Sequence, residues 1–123
     1  MSFCWTTIEV KDMKESLEFY ENIVGLKVNQ KIQVSPEVEI AFLGEGETQV
    51  ELIYNKQNND VKYDDKISLG FKVDSIKEKI EFIKERGLEV HSGPFQPNPS
   101  ITFFFVQDPN GLKIQFVEEL EIT

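Results

Sequence analysis

Val10-Lys-Asp-Met-Lys-Glu-Ser-Leu-Glu-Phe19 returns 63 positions later as Val73-Asp-Ser-Ile-Lys-Glu-Lys-Ile-Glu-Phe82. Val10 matches Val73, Met13 matches Ile76, Lys14-Glu15 match Lys77-Glu78, and Glu18-Phe19 match Glu81-Phe82. After a one-residue slip, Gly25-Leu26-Lys27-Val28 falls on Gly87-Leu88-Glu89-Val90. Late in each half, Val50-Glu51-Leu52-Ile53 falls on Ile114-Gln115-Phe116-Val117. Three matches in the same order mean that one structural unit has been used twice, so whatever one half folds into the other must also approach.

Each half reads alike. An alternating stretch, 3–9 and again 67–73, predicts a strand leading into a helix. Asp12 and Ser75 are natural N-caps, each with a Glu three residues on (Glu15 and Glu78), as in a capping box. Met13, Leu17, Tyr20 and Val24 form one apolar stripe, and Ile76, Ile80 and Ile83 the other. Gly25 and Gly87 stand where a helix ends in a left-handed residue. Three further strands are expected in each half, at 26–33, 38–43 and 48–54, then at 88–91, 101–106 and 112–117. Asp108-Pro-Asn-Gly111 marks the turn between the last two. The expected fold is α+β, two tandem βαβββ modules in a single domain over 1–123. Module one covers about 1–55 and module two about 66–120, with the polar, aperiodic stretch 55–65 as linker.

Composition bounds the function. A chain of 123 residues, 40% hydrophobic and 28% charged, holds one ordinary globular core. No apolar run approaches the roughly 20 residues of a membrane helix. The opening Met1-Ser2-Phe3-Cys4-Trp5 lacks a basic region followed by an apolar one, so no secretory signal is expected. Cys4 is the sole cysteine, which excludes an internal disulfide and a thiolate cage. A cytoplasmic protein is expected. A net charge of −9 argues against a nucleic-acid partner, which requires a basic face, and is compatible with cationic ligands.

If helices cover one face of each sheet, alternate residues line the other. In 67–73, Ile67, Leu69, Phe71 and Val73 belong with the helix, leaving Ser68, Gly70 and Lys72 opposite. In 48–54, Gln49, Glu51 and Ile53 point away from the helix; in 112–117, Lys113, Gln115 and Val117 do. In the first strand Phe3, Trp5, Thr7 and Glu9 lie opposite Ile8 and Val10. Two such curved sheets side by side would enclose a cup. The repeat makes Trp5 equivalent to Ser68, and Glu51 equivalent to Gln115, and a pseudo-twofold axis would gather all four. Ile40 and Phe42 join Trp5 in the expected lining, as does Phe104 from the run Phe103-Phe104-Phe105, whose parity stays open.

Ile8-Glu-Val-Lys-Asp-Met-Lys-Glu-Ser-Leu-Glu-Phe-Tyr-Glu-Asn-Ile-Val-Gly-Leu26 resembles the opening of glyoxalase I-type proteins. Ala41-Phe-Leu-Gly44, Val50-Glu-Leu52 and Phe105-Val-Gln-Asp-Pro-Asn-Gly-Leu-Lys-Ile-Gln115 are similar to later parts of the same family. The resemblance, over nearly the whole chain, is to the vicinal oxygen chelate superfamily, the glyoxalase, bleomycin-resistance and dioxygenase group. Its fold hosts lyases, epimerases, dioxygenases, thiol transferases and binding proteins, so the resemblance names a fold before an activity. It implies a divalent metal at the four cup positions, with His at the first and third and Glu at the second and fourth.

Here those positions hold Trp5, Glu51, Ser68 and Gln115. Glu51 is a good ligand, Gln115 a weak one and neutral Ser68 a poor one; Trp5 has no lone pair to give and fills space. His91, the only histidine, lies elsewhere in the second half. No metal and no other cofactor is expected.

The expected function is metal-free binding or sequestration of a small molecule, aromatic or cationic, by Trp5, Ile40, Phe42, Glu51, Ser68, Phe104 and Gln115. Bleomycin-resistance members of the family trap a planar cationic drug in this way. One alternative is a glyoxalase I-like lyase (lactoylglutathione lyase type). Another is a metal-independent enzyme with Glu51 as its catalytic general base. Relatives with two modules are usually dimers, so a homodimer is expected, with neither membrane nor nucleic acid as partner.

Overall fold

A computed structural model describes residues 1–58 and 60–120. The chain divides into two compact units, Met1–Lys62 and Tyr63–Thr123, and the division falls within the polar stretch 55–65. In the first unit β1 (Trp5–Val10) leads into α1 (Met13–Glu18), which continues as a π-helical segment, Phe19–Val24. Strands β2 (Val28–Gln33), β3 (Val38–Leu43) and β4 (Gln49–Asn55) follow. The second unit repeats the order with β5 (Ser68–Lys72), α2 (Ile76–Glu85), β6 (Ser92–Asn98), β7 (Ile101–Gln107) and β8 (Lys113–Glu119). Each unit is therefore βαβββ, and the chain is the expected α+β pair of modules.

Both sheets have four strands, ordered β1-β4-β3-β2 and β5-β8-β7-β6. The first and last strands of each unit run parallel, and the other pairs are antiparallel. A parallel pair needs a long crossover, which the helix and two intervening strands supply. Asp12 accepts the Glu15 backbone N–H at 2.9 Å and Ser75 accepts that of Glu78 at 3.1 Å, so both N-caps form. After α2, Gly87 at φ +78° lets the Leu88 and Gly87 N–H groups reach the Ile83 and Lys84 carbonyls. That left-handed closure satisfies the helix's last carbonyls.

The core of the first unit is built from Ile8, Val10, Ala41, Leu43, Val50 and Leu52 on one sheet face, with Phe19, Tyr20 and Ile23 from the helical segment. In the second, Phe104, Val106, Ile114 and Phe116 are buried with Ile76 and Ile83. The helix stripe of the first unit differs from the expected one. Met13, Leu17 and Val24 are half-buried, whereas Ser16, Phe19, Tyr20 and Ile23 are buried. Both sets keep helical spacing and share Tyr20. Phe19 carries more apolar area than Leu17 or Val24, so turning the helix to bury it is favoured. Phe19 then meets Tyr20 edge to face at 5.1 Å, and Ser16 is carried inside with it.

The strand expected at 88–91 lies instead at Ser92–Asn98. Pro94 and Pro97 disguise it, since proline cannot donate to a ladder. It survives because β6 is an edge strand, paired on one side only and irregularly, through Ser92–Phe105, Phe95–Phe103 and Asn98–Ile101.

Candidate functional site

Alternation along the first sheet leaves one face free of the helical segment. Parallel pairing puts Thr7 opposite Glu51, and antiparallel pairing puts Phe42 opposite Glu51 on the other side. A single row therefore runs Thr7, Glu51, Phe42 and Gln30, with Glu9, Ile53, Ile40 and Ile32 in the next. Trp5, one step up β1, lies 5.3 Å from Phe42 between ring centres, edge to face at 75°. Trp5 remains 50% exposed, while Glu51 is only 9% exposed. The Thr7 hydroxyl donates to Glu51 Oε1 at 2.5 Å. The result is an aromatic pair beside one nearly buried carboxylate whose charge is met by a neighbouring hydroxyl. Such a surface suits a flat or cationic group, through ring faces and a single acceptor.

Equivalent register holds in the second sheet. Ser68 lies opposite Lys113 as Trp5 lies opposite Gln49, and Gly70 lies opposite Gln115 as Thr7 lies opposite Glu51. Ser68 and Gln115 are thus on the helix-free face of β5 and β8. Because position 70 is glycine, Gln115 has no side chain like Thr7 beside it; a Cβ there would stand 3.2 Å from Gln115 Oε1.

Phe104 is a correction. It is fully buried, 5.4 Å from Phe116 between ring centres, on the face that packs against α2. Pairing with Phe116 sets this parity, because Phe116 shares a face with Ile114 and both are fully buried. Phe103 and Phe105 face the other way. Phe95, Phe103, Phe105 and Lys113 therefore share one face of the second sheet; the alternation had put Lys113 there and left Phe103 and Phe105 open, so Phe95 is the residue that sequence reasoning missed. Phe95 carried no signal, since it sits between two prolines.

Among the described residues, no three His, Cys, Asp or Glu side chains come together. Trp5 supplies no donor pair, and Glu51 Oε1 already accepts from Thr7. His91 is exposed, its Nδ1 3.2 Å from Ser92 Oγ. These side chains do not fit the two-His, two-Glu set that the resemblance implies. A crevice of about 310 Å³ opens elsewhere on the first unit, lined by Met13, Leu17, Lys31, Gln33, Glu39 and Ala41 among others. Ile32 and Ile40 also line it, whereas Trp5, Phe42 and Glu51 do not.

Residues 3–116 match the model of the Glyoxalase/Bleomycin resistance protein/Dioxygenase superfamily. A lactoylglutathione lyase of Salmonella typhimurium is 33% identical over 129 residues, covering 96% of this chain and 93% of that protein. Another, from Neisseria meningitidis, is 30% identical, covering 97% and 91%. The structure of a trypanothione-dependent glyoxalase I from Leishmania major superposes with a TM-score of 0.83 at 26% identity, covering 97% of this chain and 87% of that one. No helix among the described residues is long and apolar enough to cross a membrane. A repeated βαβββ unit, matched along nearly its full length by these relatives, makes this chain a member of the Glyoxalase/Bleomycin resistance protein/Dioxygenase superfamily.

Proposed function

We propose that this protein binds and sequesters a small aromatic or cationic molecule, without a metal ion, on the sheet face that carries Trp5, Ile40, Phe42 and Glu51. The observation that carries this reading is the Trp5–Phe42 pair standing beside the buried Glu51 carboxylate. An apolar wall with one oriented polar group is the usual composition of a small-ligand site. Trp5 replaces a metal-ligating side chain with a large ring, exchanging Lewis acidity for contact area. A cytoplasmic homodimer belongs to the same reading.

Titration of Trp5 fluorescence with a panel of cationic and aromatic compounds tests it, since Trp5 is the only tryptophan. Saturable quenching or a spectral shift is expected for at least one cationic aromatic compound. Unchanged fluorescence across the panel would overturn the reading.

A second reading is favoured by the relatives, which are named lactoylglutathione lyase and match at about 30% identity over nearly their whole length. It requires lactoylglutathione formation by the purified chain with added Ni or Zn; our proposal expects none. If turnover occurs without metal, Glu51 is the candidate base, and Glu51→Gln abolishes it while leaving the fold intact.

A further inference from the structure

We propose that Asn110–Gly111 is a modification site held shut by the native fold: its deamidation proceeds only in molecules whose β7–β8 turn has opened, and the product keeps that turn from closing again. The inference concerns one turn of the second unit and does not rest on the Trp5 site.

Asn110–Gly111 is the sole Asn–Gly pair in the chain. An asparagine amide is lost through attack by the backbone nitrogen of the next residue, and glycine, with no Cβ, hinders that attack least. The Gly111 nitrogen forms a bond to Asn110 Cγ and gives its proton to water. The Cγ–Nδ2 bond breaks and ammonia leaves. Water then opens the cyclic imide at either carbonyl, giving aspartate or isoaspartate. Nothing is oxidised or reduced, and water is the only co-reactant.

The folded turn opposes each part of that step. The Gly111 N–H donates to the Asp108 carbonyl at 3.0 Å, and the Asp108 N–H to the Leu112 carbonyl at 2.9 Å. Asp108 Oδ1 accepts the Asn110 and Leu112 N–H groups at 2.8 and 2.9 Å. Pro109 fixes a backbone torsion between them. Asn110 is 7% exposed and Asp108 5%, although turns ordinarily stand in solvent. The attacking nitrogen is thus engaged, and the side chain it must reach is packed in place. Gln107 pairs with Lys113 directly beneath the turn, in the two central strands of the sheet. Reaction therefore waits on opening. Either product then works against reclosure. Aspartate at 110 puts a second carboxylate beside the buried Asp108, in a chain already at −9. Isoaspartate adds a methylene to the backbone, so the Gly111 N–H no longer meets the Asp108 carbonyl.

The full chain is held at neutral pH, natively folded and in unfolding urea. Conversion of Asn110 is followed by peptide mass spectrometry, with fragmentation that separates aspartate from isoaspartate. Conversion should be at least about tenfold slower in the folded chain, and should rise with the unfolded fraction at intermediate urea. Equal rates in the folded and unfolded chain would overturn the proposal. Chain partly converted in urea is then diluted into native buffer, and the refolded fraction is isolated by size exclusion. Unmodified molecules should be enriched in that fraction severalfold; the same proportion of modified chain before and after refolding would show that the product does not bar closure. Asn110→Asp adds the charge without lengthening the backbone. It should unfold at lower urea than the parent chain or fail to fold at all, and an unchanged midpoint would overturn the role given to the Asp108 charge.

Discussion

The Thr7 hydroxyl donates a hydrogen bond to Glu51 Oε1 across the parallel β1–β4 pair, 44 residues apart in sequence. It meets a carboxylate that is 91% removed from solvent, and a buried acceptor without its donor is costly. Thr7→Val keeps the shape and removes the donor. We expect a loss of about 1–3 kcal/mol in urea unfolding. In a double-mutant cycle with Glu51→Gln the two losses should be non-additive. Additive losses would show that the bond contributes nothing beyond its two residues.

Phe104 and Phe103 are neighbours in sequence with opposite surroundings. Phe104 is fully buried against Phe116, whereas Phe103 lies on the helix-free face. Phe104→Ala should cost about 3–5 kcal/mol, in the range for an aromatic removed from a core. Phe103→Ala should cost less than half as much. Equal losses by denaturant unfolding would contradict the strand parity described above.

Lys79 lies 4.6 Å from the centre of the Phe82 ring and 4.8 Å from that of Phe116, while Arg86 stacks 4.4 Å over Phe82. Burial first, and the Arg86 guanidinium second, hold the Lys79 ammonium below its ordinary 10.5. The folded chain thus binds this proton less tightly than the unfolded chain. The resulting penalty is fully present at neutral pH and is relieved as pH rises through the folded-state value toward 10.5. Arg86→Gln should raise the Lys79 pKa without restoring the ordinary value, because burial is the larger cause. A ¹³C NMR titration of the lysine ε-carbons measures it; an unmoved Lys79 would remove Arg86 from the account.

Trp5, Glu51, Ser68 and Gln115 stand at the positions where the family resemblance expects a metal. Our reading predicts that the purified protein carries no stoichiometric Ni, Zn, Co, Mn or Fe by elemental analysis. About one tightly bound ion per chain would sink that prediction. The comparison is best made on protein prepared without chelators, since a weakly held ion would otherwise be stripped.

Much of the fold could be read directly because its signals are local. Asp12 and Ser75 cap helices through bonds that span three residues, and Gly25 and Gly87 take φ values of +90° and +78° that other residues resist. Strand β3 was expected at 38–43 and is found at Val38–Leu43. Strand β6 was hidden, because Pro94 and Pro97 carry a local signal against a strand that an edge position overrides. The rotation of the first helix was hidden for a related reason: two apolar stripes overlapped, and the local pattern had no means of ranking Phe19 above Leu17.

The sequence by itself determined the repeated βαβββ unit, its capping residues, and the equivalence of Trp5 with Ser68 and of Glu51 with Gln115. Those follow from periodicity and from internal matches, which need no knowledge of what touches what. Tertiary structure decided that Thr7 serves Glu51, that Phe104 belongs to the core, and that Phe103 and Phe105 join Phe95 and Lys113 on the other face. Each depends on the register between strands distant in the chain. A run of three identical residues leaves that register undetermined until burial of its partners selects one.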